Sequence, residues 1–326
     1  MMKTRRIGIP SLAAVEADLS RRGLSAEKAS PAADEVELPT VVAATTRLES
    51  TLRRVLTTAW KQVRTAVPEK VLEQAVMSRH IVSVFSQYVT PAIQDALTPG
   101  VMSVLRASFL RGARVGAEGL APLGVRLRAA PTISIAFDLI NDLAVRWAAT
   151  HAGRLITEVT AGQQEMAARV VAQALEQGRT VDQVARDLRT FIGLRADQAE
   201  AVLNFRGTLI DQEVAAATIE RRATRYAQSL LNQRNLTIAR TEVVSSANAG
   251  QLGLWDQAAS QGLFDKEQTE KVWIATEDEL LCPICEPLAG EAVGLDETFE
   301  TEDGQRLEGP TAHPNCRCGL NLKFNQ

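Results

Sequence analysis

The sequence predicts a mainly α fold, an elongated helical region followed by a small α+β C-terminal domain with a short β-hairpin. Three observations carry that expectation. Aromatic residues are only 4% of 326, while Ala, Leu and Val recur beside Gln, Glu and Arg, a mixture that favours helices over β-sandwiches or barrels. Apolar residues recur at helical spacing through much of the chain. All four cysteines fall in its last fifty residues, beside a short β-branched and aromatic run, Lys271 to Thr276.

Composition narrows the classes of function. Hydrophobic residues are 45% and charged residues 23%, as in ordinary globular chains, which argues against bulk disorder. The 36 basic and 39 acidic residues leave a formal charge of -3, so no global positive field draws the chain onto nucleic acid. No apolar run approaches the roughly 20 residues of a membrane span. Lys3, Arg5 and Arg6 are followed by too little apolar sequence for a signal peptide, so a cytoplasmic site of synthesis is expected.

Residues 1–40 contain Pro10, Pro31 and Pro39 among charged and small residues and read as a flexible arm. The helical region is expected over 41–235. Leu48, Leu52, Val55, Leu56, Ala59 and Val63 mark its first helix; Pro68 and Pro91 suit the starts of two more. Gly112, Gly116, Gly119, Gly124 and Pro131 predict a break near 111–131. Ile133 to Trp147 returns to helical spacing. In the next clear segment Met166, Val170 and Ala174 line a face that Gly178 should end with a left-handed cap, and Thr180 with Gln183 forms a capping box for a helix stopped by Gly193. Further helices are expected at Ala196–Phe205 and Leu209–Leu231.

The C-terminal domain, 236–326, opens on a helix rich in small residues, Ser245 to Gly250 and Gly253, where each glycine costs about 1 kcal/mol relative to alanine. Close approach of another backbone is the expected compensation. Arg240 and Glu242 read either as members of a half-buried polar network or as solvated charges. Glu291 to Leu295 is expected to pair with the Lys271–Thr276 strand, with Trp255 and Trp273 in the core. The acidic residues Glu297, Glu300, Glu302, Asp303 and Glu308 read as a solvated loop.

The chemistry-bearing residues are Cys282 and Cys285 in a Cys-x-x-Cys, and His313, Cys316 and Cys318 in His-Pro-Asn-Cys-Arg-Cys. Two thiolates on one turn and a His-x-x-Cys on another are the spacings with which tetrahedral zinc is chelated. Five candidates compete for four positions, and the more familiar turn geometry favours Cys282, Cys285, His313 and Cys316. Disulfides and unliganded thiols are the alternatives; a redox motif lacks its βαβ setting. His80 and His151 are read as isolated.

Ile238-Ala239-Arg240-Thr241-Glu242, Asn248, Trp255, Gly262, Lys271 to Thr276, Asp278, Cys282-Pro283-Ile284-Cys285, Gly290 and His313-Pro314-Asn315-Cys316-Arg317-Cys318 together resemble the phage Mu protein F-like domain of phage head-morphogenesis minor head proteins. Ala289 departs from the acidic residue the family more often places before the glycine. The resemblance implies a structural minor head (capsid) protein of a tailed phage, acting in head morphogenesis, present in few copies and associated with the portal. It implies a place in the virion, in the head interior or at the portal vertex, after synthesis in the host cytoplasm. Scaffold or major capsid protein are further partners, and packaged DNA a weak one through Arg-rich helices such as Ile219 to Arg234. No membrane partner is expected.

No Ser/His/Asp arrangement, phosphate-cradling glycine loop or histidine pair of metalloprotease spacing occurs, so no enzyme activity is expected. The alternatives are a zinc-containing, DNA-contacting protein ejected with the genome, or an effector enzyme fused to a Mu F-like domain. A basic stripe around the cysteines, which the first would want, is absent: acidic residues outnumber Arg306 and Arg317.

Overall fold

A computed structural model describes residues 40–78, 80–120, 131–276 and 282–324. The arm, apart from Thr40, and residues 121–130 of the expected break lie outside the described residues. Helices are α1 (Thr40–Ala66), α2 (Glu69–Ser78), α3 (Ile81–Val84), a π-helical segment Phe85–Val89, α4 (Thr90–Glu118), α5 (Pro131–Glu176), α6 (Val181–Phe191), α7 (Ala196–Asp211) and α8 (Ala216–Ser260). A single 3₁₀ turn, Lys266–Gln268, leads into strands β1 (Thr269–Ile274), β2 (Ala292–Gly294), β3 (Phe299–Glu300), β4 (Arg306–Leu307) and β5 (Gly319–Phe324). The expectation of a mostly helical chain with a small C-terminal β element is met.

The chain forms two compact units. The first comprises the described residues of Met1–Thr51, Ser103–Val145 and Glu242–Gln326; the second is Leu52–Met102 with Arg146–Thr241.

In the second unit the predicted caps are in place. Gly178 has φ +66°, and Thr180 accepts from the Gln183 backbone at 3.3 Å while Gln183 Oε1 accepts from the Thr180 N–H at 3.1 Å. α6 then buries Val184, Leu188 and Phe191 and packs on α2. The turn after it is held from several sides. Gly193, at φ +98°, lies so close to Trp60 and Leu231 that a Cβ there would stand 2.8 Å from Leu231 and 2.9 Å from Trp60. Buried Gln163 accepts from the Gly193 N–H at 2.8 Å and donates to the Leu194 carbonyl at 2.7 Å. Arg64 donates to the Ile192 carbonyl and Arg234 to the Gly193 carbonyl, at 2.8 and 2.6 Å. Burial, assisted by the charge of Arg195, lowers Arg234 to about 10. Beneath this turn Trp60 donates to buried Asn235 at 3.1 Å.

A charged cluster is buried in the same unit. Arg206 and Arg179 both reach Asp187 Oδ2, at 2.8 and 2.9 Å, and Arg206 also reaches Glu220 at 3.0 Å. Burial pushes the Asp187 carboxyl above its ordinary value, outweighing the hydrogen bond and charge of Arg206 and the charge of Arg179. Such a cluster specifies geometry more than it adds net stability.

Several sequence boundaries are corrected. The helix expected at Leu209–Leu231 begins instead at Ala216, after a turn in which Glu213 takes φ +55°, and runs without interruption to Ser260. Asn235, which weakens the helical pattern there, is buried and bonded to Trp60 and Thr57, so tertiary partners outweigh its poor propensity. Likewise α5 passes through Gly153 and Gly162. His151 is not isolated: it stacks on Trp147 at 4.0 Å and meets Arg154 Nη2 at 2.7 Å, and burial with the Arg154 charge lowers it to about 4.

The break expected near 111–131 does not begin where predicted, because Gly112 and Gly116 lie inside α4. In the first unit the second half of α4 meets the second half of α8 backbone to backbone. A Cβ at Gly112 would stand 1.8 Å from the Ala247 carbonyl oxygen, and one at Gly250 would stand 1.9 Å from that of Phe109. Ser246 donates to the Leu105 carbonyl at 2.6 Å, and Trp255 Nε1 to that of Gly116 at 3.0 Å. The small residues that cost propensity in α8 are those that admit the neighbouring backbone, as expected from sequence.

Replacing Gly250 with alanine should therefore destabilise the protein by about 3 kcal/mol, because overlap with a backbone carbonyl outweighs a propensity gain of about 1 kcal/mol. Gly207→Ala, inside α7 with nothing within 4 Å of the new Cβ, should instead stabilise by up to about 1 kcal/mol. Denaturant midpoints of the two variants would check both signs.

Candidate metal centre

β1 is the axis of the candidate site. Its alternation buries Thr269, Lys271 and Trp273. It is the middle strand of an antiparallel sheet ordered β2–β1–β5, with Lys271 opposite Val293 on one side and Trp273 opposite Leu320 on the other. The predicted pairing with Glu291–Leu295 is thus present; β5 is an element that sequence reasoning did not place. Beyond β2 the pairing continues as Trp273 donates to the Glu291 carbonyl and accepts from Gly290, each at 2.9 Å, with Gly290 at φ +81°. Trp273 is fully buried and meets Phe299 edge to face at 5.2 Å. Trp255 is fully buried too, as expected. The acidic segment contains the β3–β4 hairpin rather than being all loop, though Glu300, Glu302 and Asp303 are exposed as read.

Two proline turns carry the ligand-type side chains. In the first, the Cys285 and Glu286 N–H groups both donate to the Cys282 carbonyl at 3.0 Å, with Pro283 at the second position where its fixed φ suits a turn. In the second, the Cys316 N–H donates to the His313 carbonyl at 3.2 Å, Pro314 is again second, and Asn315 is third at φ +65°. Proline then a left-handed residue is the pattern of a type II turn, which explains Pro314-Asn315 within the motif. The chain then runs into β5, so Cys316 and Cys318 both turn inward and Arg317 lies between them.

The structure brings all five predicted side chains together. His313 Nε2 lies 2.8 Å from Cys282 Sγ and 3.1 Å from Cys285 Sγ, and Cys285 Sγ lies 3.8 Å from Cys316 Sγ. Cys282, Cys285 and His313 form one group whose ligand atoms lie within 4.8 Å of one another; Cys285, Cys316 and Cys318 form another. Cys285 belongs to both. The second group is buried, with exposures of 1%, 1% and 3%, whereas Cys282 and His313 are half-buried. Cys282, Cys285, His313 and Cys318 line one small cavity with Thr276, Asn315 and Arg317. This constellation can hold a metal ion.

Its supports were not read from the sequence. Asn248 of α8 donates to the Cys318 carbonyl at 3.3 Å and to Val244 at 3.0 Å; Gln251, one turn on, donates to the Leu320 carbonyl at 3.1 Å. Thr276 donates to the Arg317 carbonyl at 2.7 Å. His313 Nδ1 lies 2.8 Å from the Pro314 carbonyl, and a proton on Nδ1 leaves the Nε2 lone pair facing the sulfurs. Of these only Asn248 had a visible signal, a polar side chain within a run of small helical residues.

The thiols are electrostatically unequal. Hydrogen bonds from Cys285 and then Cys318 bring Cys316 down to about 3 despite its burial. Cys285 is raised by its hydrogen bonds with Cys316 and Cys318 and by burial. At Cys318 the Cys285 hydrogen bond lowers the value, but the Cys316 hydrogen bond and burial together push it up to about 12. The Trp273 indole N–H is buried without a hydrogen-bond partner. In the same sheet burial lowers Lys271, whose ammonium donates to the Leu295 carbonyl at 3.1 Å.

Asn248→Ala should strip the Cys318 carbonyl of a buried donor and destabilise the protein by about 1–3 kcal/mol. Ser260→Ala, at an exposed site, should stay within about 0.5 kcal/mol of the parent. Thermal unfolding of the two variants side by side distinguishes the effects.

Comparison with protein families gives a match. The family model described as Phage Mu protein F like protein matches residues 165–321, a span from within α5 to β5 that contains all five candidate ligands. Comparisons with curated proteins and with solved structures give no match. The order of motifs and the matched span agree, and over residues 165–321 this chain is similar to the phage Mu protein F like family.

Proposed function

We propose that the protein is a structural minor component of a tailed-phage head, acting in head morphogenesis at the portal vertex or in the head interior, in few copies and without catalytic activity. The observation that carries this reading is the family match over residues 165–321. Among the described residues no helix is long and apolar enough to cross a membrane, which accords with partners among virion proteins. The portal is the first such partner; scaffold or major capsid protein and packaged DNA are further ones.

The metal in this reading is zinc in a structural role. Two thiolates on one tetrahedral zinc stand roughly 3.8 Å apart, given Zn–S bonds of ~2.3 Å. The Cys285 and Cys316 sulfurs have that spacing, 3.8 Å. Bound there, zinc would tie the two proline turns to the β5 strand and supply cohesion that a sheet of three short strands lacks. The residues themselves hold the ligands in register: Asn248 and Thr276 fix the backbone at Cys318 and Arg317.

Two measurements test the reading. Particles from cells producing the phage should contain the chain in purified heads, and portal rings isolated from them should retain it; its absence from both would refute the structural role. Elemental analysis of protein purified without chelator should give about one zinc per chain, and none would refute the metal assignment alone.

A further inference from the structure

We infer that the three buried thiols, Cys285, Cys316 and Cys318, are the permanent ligands, and that Cys282 and His313 compete for the fourth position. The inference rests on the zinc reading above and departs from the set favoured by the motif spacing, which omits Cys318. Three observations carry it. First, Cys285, Cys316 and Cys318 have sulfurs within 4.8 Å of one another and are at most 3% exposed, so they form a ready triangular base of a tetrahedron. Within it Cys285 and Cys316 stand 3.8 Å apart, the spacing of thiolates that share a zinc, roughly 3.8 Å.

Second, Cys282 and His313 stand too close to be ligands side by side. A nitrogen and a sulfur on one tetrahedral zinc lie roughly 3.5 Å apart, from bonds of ~2.05 and ~2.3 Å. Cys282 Sγ and His313 Nε2 are 2.8 Å apart, the tighter of the two sulfur contacts of His313; the other, 3.1 Å to Cys285 Sγ, lies nearer the co-ligand spacing. Cys282 and His313 fit one vertex, which either can occupy while the other is displaced from it. Both sit on the half-buried side, where with Cys285 and Cys318 they line the same cavity. Third, Cys318 is supported as a ligand should be. Asn248 holds its carbonyl, an outer contact of the kind that orients metal ligands. Leaving Cys318 out would also leave a third thiol buried beside two thiolates without a task.

The test is a ligand series in the full-length protein, with zinc content measured after purification and cobalt(II) titrated into metal-stripped samples. Cys282→Ser and His313→Ala should each keep one equivalent of metal, with affinity lowered less than tenfold. The double variant should lower affinity at least a hundredfold, as should Cys318→Ser and Cys316→Ser singly. The thiolate-to-cobalt charge-transfer band should persist in His313→Ala at full intensity. Helical circular dichroism confirms that each variant is folded; should the Cys316 or Cys318 variants not fold, the two outer single variants decide alone. Release of metal from either outer single variant overturns the inference, as does retention by folded Cys318→Ser. Wild-type protein that binds neither zinc nor cobalt overturns the zinc reading itself, whereas the ligand assignment fails alone when wild type binds and the pattern differs.

Discussion

The approach of α4 and α8 at backbone distance is the constraint on which the rest of the first unit depends. Gly112 against Ala247 and Gly250 against Phe109 leave no room for a single additional carbon, so the two helices are locked in register as well as in distance. Helical glycine carries a cost of about 1 kcal/mol each, and it is offset by hydrogen bonds from Ser246 and Trp255 to α4 carbonyls and by the burial of Val244, Ala247, Leu254 and Trp255. That register places Asn248 and Gln251, on the same stretch of α8, against the carbonyls of Cys318 and Leu320. The position of β5, and with it the inner thiols, is therefore set by a helix pair.

From there the site follows from ordinary local rules. β1 receives β5 on one edge and β2 on the other, and each of the two proline turns presents its ligands from a hydrogen-bonded loop. Polar atoms brought into this interior must be satisfied, and the backbone carbonyls at Arg317, Cys318 and Leu320 each receive a side-chain donor. What remains is a concentration of sulfur that hydrogen bonds among thiols balance only in part: one thiol is driven toward its anion while its neighbours are driven away from theirs. A cation bonded to them would remove that inequality, because a metal-bound thiolate is deprotonated outright.

The second unit solves a different problem by similar means. Its sharpest turn, after α6, is surrounded by Gln163, Arg64 and Arg234, which satisfy the turn's backbone groups while Trp60 and Leu231 close over Gly193. The Asp187, Arg206, Arg179 and Glu220 cluster adds directional contacts among α6, α7 and α8.

Much of this was legible in the sequence because the signals were local. Gly178, the Thr180–Gln183 capping box, Pro68 and the pairing of Lys271–Thr276 with Glu291–Leu295 each depend on residues within a turn or one hairpin, where short-range sterics and hydrogen bonding decide the outcome. The five ligand-type residues and the close backbone approach at Ser245–Gly250 were legible for the same reason. Tertiary structure alone decided what depended on distant partners. Gly112 and Gly116 remain helical because α8 packs against them, and Asn235 stays inside a helix because Trp60 and Thr57 bond it. Similarly, β5 exists because β1 offers a free edge about fifty residues earlier, and Cys318 is drawn inward because Asn248 holds its carbonyl seventy residues away. Local propensity differences of about 1 kcal/mol per residue are smaller than the packing and hydrogen-bond contributions that a folded neighbour supplies.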